Sequence, residues 1–137
     1  MKVANAARHG EELIELLVDC GPLTRHEVCQ KLDWSPGKFT TALKYAREEL
    51  CPSYDVTIPH PTPDDGWRYQ VTTDWTAIEA GASHVLGGIE ARLHSAARDV
   101  ATVLPLIDRR SKEGRRANFL NKHLSHILGT LEEINNG

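Results

Sequence analysis

From Thr24 to Leu50 the chain reads TRHEVCQKLDWSPGKFTTALKYAREEL, two short helical patterns joined by a turn, and this stretch restricts the fold more than any other. Thr24 followed three residues later by Glu27 is a capping box, in which a hydroxyl and a carboxylate satisfy backbone N–H groups that have no helical partner. One helix therefore starts near Thr24. It is expected to end around Leu32, because Asp33, Trp34, Ser35 and Pro36 bring turn chemistry and a proline ring is not tolerated inside a helix. The same proline suits the first position of the next helix, with Ser35 as its N-cap. There Phe39, Leu43, Ala46 and Leu50 recur at steps of four, three and four. They share one face, and Lys38, Thr40, Thr41, Lys44, Tyr45 and Arg47 fall outside it. Such a helix has one side to bury and one to offer.

Upstream, Leu13, Ile14, Leu16, Leu17 and Val18 predict a first helix from Glu11 to Cys20, apolar enough to be packed on more than one side, ended by Gly21 and Pro22. Residues 1–9 carry no strong pattern and are expected to fray. Leu23 sits where a staple to Val28 would form, and Trp34 in the turn reads as a core plug. Downstream, Tyr54 to Pro59 and Trp67 to Thr73 are β-prone, and Pro-Thr-Pro-Asp-Asp-Gly between them is turn-rich, so the two runs are expected to pair as a hairpin. Trp67, Tyr69 and Val71 would face the helices, with Arg68, Gln70 and Thr72 in water. Cys51 reads as a buried or half-buried bystander.

This order of elements over residues 10–74 resembles a winged helix-turn-helix, in the general plan of PadR-like and MarR-like regulators. The resemblance implies a recognition helix at about 36–50 in the major groove of double-stranded DNA and a wing against the backbone or minor groove. On that reading Gly37, Lys38, Thr40, Thr41 and Lys44 approach base edges, Ser35 and Arg47 touch phosphate, and Arg68 contributes from the wing.

Charge bears directly on this expectation, since phosphate neutralisation dominates nonspecific DNA affinity. The chain carries a net charge of −3, and the excess acid lies before Thr76: eight basic against twelve acidic side chains through Trp75, eight against seven after it. Between Pro36 and Arg47, however, there are three basic residues and no acidic one. In the hairpin, Asp55, Asp64 and Asp65 outweigh Arg68, which argues against a wing tip entering a minor groove.

After Asp74, an expected N-cap, the pattern changes to a long helix from about Thr76 to Asp108. Trp75, Ile78, Ala82, Val85 and Ile89 follow three-four spacing, and Leu93, Ala96, Val100, Val103 and Ile107 resume it after a one-residue shift. At 1.5 Å per residue that helix would be on the order of 50 Å long, more than a domain of this size covers. Gly87 and Gly88 mark either a close helix crossing or a break. Pro105 ends it. RRSKEGRR, residues 109–116, is a charged connector suited to solvation or to phosphate. A last helix, about Ala117 to Ile134, carries Leu120, Leu124, Ile127, Leu131 and Ile134 at heptad spacing. It must dock on the long helix, on a second copy, or on both.

The fold expected is therefore mainly α with a small β-hairpin: a winged helix-turn-helix domain at 1–74 and a helical dimerisation region at 75–137. Three cysteines without Cys-x-x-Cys spacing suit a reduced, cytoplasmic setting, and no apolar run approaches a membrane span. His123 and His126 form an i, i+3 pair without a cysteine or carboxylate at ligand spacing, and His84 and His94 are ten apart and read as having no Asp or Glu in a ligand register. There is no phosphate loop, nucleophile elbow or paired cysteine and histidine, so no catalytic residue, metal site or cofactor is assigned. Two functions compete: a homodimeric, sequence-specific DNA-binding transcriptional regulator, and a protein-protein interaction module or adaptor that does not bind DNA.

Overall fold

The computed structural model describes residues 2–136, with side chains from residue 5 to residue 134. It is mainly helical: α1 (Lys2–Cys20), α2 (Arg25–Leu32), α3 (Pro36–Tyr45), a short α4 (Cys51–Tyr54), a long α5 (Trp75–Val103) and a C-terminal α6 (Lys112–Asn136). A small antiparallel sheet joins β1 (Leu23–Thr24) to β2 (Arg68–Tyr69), with Leu23 opposite Tyr69 and Thr24 opposite Arg68. Among the described residues no helix is long and apolar enough to cross a membrane. The chain forms two compact units, Met1–His84 and Val85–Gly137.

In the first unit the caps fall where the sequence puts them. Thr24 Oγ1 accepts from the Glu27 N–H at 3.1 Å, and Glu27 Oε1 accepts from the Thr24 N–H at 3.1 Å. These hydrogen bonds hold the Glu27 carboxyl below its ordinary pKa, the backbone one first. Asp33 closes α2 in the left-handed region, and Ser35 caps α3 ahead of Pro36. Leu13, Ile14, Leu17, Leu23, Val28, Trp34, Phe39, Ala42, Leu43, Ala46, Cys51 and Ile58 make one buried cluster. Leu23 and Val28 are both in it, as a staple requires, and Trp34 is the expected plug.

Several expectations are corrected. Helix α1 starts at Lys2 rather than Glu11, so the stretch expected to fray is helical from there; Met1 lies outside the described residues. The reason is Gly10, whose absent side chain lets α1 approach Tyr45 and Leu50, and His9, whose ring packs edge-on against Trp34 at 5.5 Å. Among the described side chains of α1 only one stripe is buried, and Val18 is exposed. Helix α3 runs past Leu50 into α4 through a π turn at Ala46–Leu50, where the Cys51 N–H reaches back five residues to the Ala46 carbonyl. This wider turn accommodates Pro52, which has no N–H and whose ring would clash with a carbonyl of an ordinary α-turn.

The expected hairpin forms only in part. Thr57 and Thr72 exchange both backbone hydrogen bonds, at 3.0 and 2.9 Å, but the remaining ladder of Arg68–Tyr69 is with Leu23–Thr24. Pro59, Pro61 and Pro63 supply no N–H, so a longer first strand cannot pair. Trp67 is turned away from the buried cluster of the first helices: Gly66 and Trp67 both take positive φ, which twists the chain before β2. Its ring instead meets His84 at 5.4 Å. Gly81, buried without a side chain, lies against the His60 backbone. Those two packings place the first turns of α5 in the first unit.

In the second unit α5 passes Gly87 and Gly88 without a break, and open space surrounds both, so neither marks a crossing. The helix ends at Val103, short of Asp108, in a 3-10 turn around Pro105. Helix α6 begins at Lys112, inside the supposed connector, because Ser111 Oγ accepts from the Gly114 N–H at 3.0 Å and caps it. Gly114 lies against the Asp108 carbonyl, which leaves no room for a side chain. Among the described residues the buried positions of α6 are Gly114, Ala117, Leu128 and Leu131, with Asn121 and Leu124 half-buried between them; facing them the half-buried seam is Leu93, Ala97 and Val100 of α5 and Leu104 of the turn after it. The apolar stripe read from the sequence is thus only partly inside. Leu120 and Ile127 remain 41% and 43% exposed, and Ile134 is exposed too.

Candidate nucleic-acid interface

Helix α3 presents its polar side because its apolar side is fixed. Phe39, Ala42 and Leu43 are buried, and Phe39 packs edge-on against Tyr69 at 5.2 Å, tying α3 to β2. Gly37, Thr40, Thr41 and Lys44 consequently face outward and are exposed. The Ser35 hydroxyl accepts from the Lys38 N–H at 3.2 Å, which leaves its own O–H free to donate. Thr40 Oγ1 donates to the Pro36 carbonyl at 3.0 Å and Thr41 Oγ1 to the Gly37 carbonyl at 3.1 Å. With both hydroxyl protons directed at the backbone, the two threonines offer methyl groups and acceptor oxygens to anything that docks.

The cations on this face differ in how tightly they are held. Lys44 is exposed, whereas Lys38 is half-buried with its Nζ 5.7 Å from the centre of the Trp34 ring. Beside Lys38 and Thr41 a depression of about 290 Å³ is completed by Asn5, Ala6 and His9 of α1. A second, of about 320 Å³, lies where Thr24, Arg25 and His26 meet Pro61, Trp67 and Tyr69. Arg25, His26 and Lys31 of α2 are also exposed. Through Arg25 and Lys31, exposed basic side chains extend beyond the eight positions singled out from the sequence.

Arg47 is corrected. Its Nε donates to the Ile58 carbonyl at 2.8 Å and its terminal nitrogen to the Pro59 carbonyl at 3.2 Å, with the guanidinium 5.7 Å from the Tyr69 ring centre. Burial pushes its pKa below the ordinary value, and its charge, behind desolvation, helps hold His60 low. This arginine fastens the proline loop to the helix. A phosphate would have to compete for donors already engaged.

Arg68 is exposed but bound to its own turn, its N–H donating to Asp65 Oδ1 at 3.2 Å and its guanidinium to the Asp65 carbonyl at 3.4 Å. Asp65 also closes a capping box with Thr62. The acidic tip is thus a structural turn, with Asp64 left facing water.

No family model, curated protein or solved structure matches this chain.

One constellation escaped the sequence reading. Glu90, His94 and Glu132 bring one ligand atom each to within 4.8 Å of one another, and His94 Nε2 lies 3.7 Å from Glu90 Oε1. This corrects the expectation that no Asp or Glu lies in a ligand register with His84 and His94, because Glu90 is one helical turn before His94. Nothing in the sequence foretold Glu132. His123 and His126 are exposed as expected, with His123 packed at 4.1 Å on Phe119.

Proposed function

We propose that this protein is a sequence-specific, double-stranded-DNA-binding transcriptional regulator acting as a homodimer, with residues 10–74 as a winged helix-turn-helix. The observation that carries the reading is the division of α3: Phe39, Ala42 and Leu43 are buried while Gly37, Thr40, Thr41 and Lys44 are open to water. A helix fixed from behind, N-capped, and bearing lysines and threonines on its free side can enter a major groove. The threonine methyls suit thymine C5-methyl groups, Lys44 suits guanine acceptors or phosphate, and Ser35 with the α3 N-terminus suits phosphate. Arg47 does not belong to this contact set, and the acidic turn at Asp64 and Asp65 makes the wing a support.

The test is binding to mixed genomic duplexes at low salt, followed by titration with salt. Lys44→Ala is expected to weaken binding on all sequences and to reduce the slope of log K against log salt by about one, and Lys38→Ala by less because its ammonium rests on Trp34. Absence of any shift at low salt defeats the proposal.

Dimerisation is supported by apolar surface on the second unit. Ile89 and Val103 of α5, and Leu120, Ile127 and Ile134 of α6, are exposed at sevenfold spacing. Both sets are rotated in the same sense from the buried seam of their antiparallel pair, so they lie on one side of it. Covering that side with its copy by two-fold symmetry gives a helical bundle and doubles the DNA contacts. Ile127→Glu is expected to turn a dimer into a monomer by light scattering without loss of helix content.

The same surface, together with the acidic net charge, favours a second reading as a protein-binding adaptor. Salt-insensitive recovery of a partner, with no DNA shift, selects it.

A further inference from the structure

We infer that the second unit binds one divalent transition-metal cation, of which Zn²⁺ is the natural probe, between α5 and α6 through Glu90, His94 and Glu132. This goes beyond the DNA-binding reading and does not depend on it.

The donor set is chemically coherent. A neutral imidazole and two carboxylates are ordinary ligands for zinc and its neighbours, and three protein ligands leave a further coordination position for water. Zinc bonds of about 2.0–2.1 Å in a tetrahedron put ligand atoms roughly 3.4 Å apart. The 3.7 Å from His94 Nε2 to Glu90 Oε1 is already near that value, and the full set within 4.8 Å closes by side-chain rotation. Glu90 and His94, one turn apart on α5, form one edge, and Glu132 approaches from α6.

The charge balance points the same way. Glu132 is exposed and stands beside another carboxylate, and among the described residues it makes no ion pair with a lysine, arginine or histidine. Two carboxylates held together repel, and a bound cation reverses the sign of that interaction. An ion here would act as a clasp, because α5 and α6 are joined through residues 104–111 and the three donors lie toward the opposite, open end of the pair. Metal affinity then appears as ordering of the last turns of α6. On a helical wheel of about 100° per residue, His94 is roughly opposite Ile89, Ala96 and Val103. The clasp therefore stays accessible when the apolar side is covered.

Isothermal titration of the full-length, chelator-stripped chain with ZnCl₂ tests this, with amide hydrogen exchange over residues 124–134 as a second readout. One zinc per chain is expected, with increased protection of α6. Glu90→Gln, His94→Gln and Glu132→Gln should each weaken binding by more than about tenfold, since even the outer partner of a metal ligand is worth 10–100-fold. His123→Gln and Cys29→Ser should leave it unchanged. All three site residues reach solvent, so their amides preserve the fold, which circular dichroism verifies. No saturable binding, or binding that survives in both His94→Gln and Glu132→Gln, overturns the inference whatever the outcome with DNA.

Discussion

Phe39→Ala is expected to lower the unfolding free energy by about 3–5 kcal/mol, the usual cost of removing a fully buried phenylalanine ring. Phe39 is 1% exposed, at the centre of the cluster that includes Leu13, Val28, Ala42 and Leu43. It also carries the edge-on packing with Tyr69 that joins α3 to the sheet. The truncated side chain leaves a cavity between helix and strand that neither element can close without abandoning its caps. Against a total stability of roughly 5–15 kcal/mol for a domain, the loss takes the first unit close to unfolding. Thr40→Ala, one residue away on the open side, is expected to stay within about 0.5 kcal/mol. Urea denaturation followed by tryptophan fluorescence measures both. A loss below about 1 kcal/mol for Phe39→Ala would mean that the phenylalanine side of α3 is not the hidden one, and the DNA reading would go with it.

The second large effect is expected at Arg47. Arg47→Leu removes the donors to the Ile58 and Pro59 carbonyls and the guanidinium over Tyr69, for a loss of about 2–4 kcal/mol. The cost arises because the carbonyls of a proline-rich loop have few other donors: Pro59, Pro61 and Pro63 have no N–H to offer in return. Leucine matches the apolar stem but satisfies neither acceptor. At a temperature where the variant remains folded, the salt slope of DNA binding should be unchanged. Unaltered stability together with a slope reduced by one would restore Arg47 as a phosphate ligand.

This pair of residues shows how far sequence reasoning reaches. Phe39 could be assigned inward because it belongs to a three-four stripe, and helical periodicity is a local property. Arg47 is equally well placed by periodicity to face outward. What turned it inward is a loop eleven residues further on, whose unpaired carbonyls are visible only once the chain has folded back. The π turn before Pro52 is an intermediate case: the proline announces a disturbance, but whether the helix stops or widens depends on how firmly Ala46 and Cys51 are held in the core.

The hairpin divides similarly. Turn residues from Pro59 to Gly66 were legible, and the prolines already weakened the case for a long first strand. That Arg68–Tyr69 would pair with Leu23–Thr24 was not, since strand partners far apart in sequence leave no periodic mark on either segment. Trp67 leaves the buried cluster and meets His84 because two successive positive-φ residues rotate the chain, which alternation alone does not foresee.

In the second unit, the sequence sets the heptad spacing but not which of two overlapping stripes is covered. Helix α6 buries Ala117, Leu128 and Leu131 and exposes Leu120 and Ile127, because rotation about its axis is fixed by its partner helix. The same rotation brings Glu132 to Glu90 and His94.

By itself, then, the sequence determined the caps that bound α2 and start α3, since a capping hydroxyl, a carboxylate and a proline act through hydrogen bonds within a few residues, and it determined which side of α3 is apolar. Tertiary structure alone decided the fate of Arg47, the partner of β2, the exposed stripe of α6 and the meeting of Glu132 with its two neighbours. Those depend on groups brought together from distant parts of the chain, whose positions follow from packing and leave no local signature.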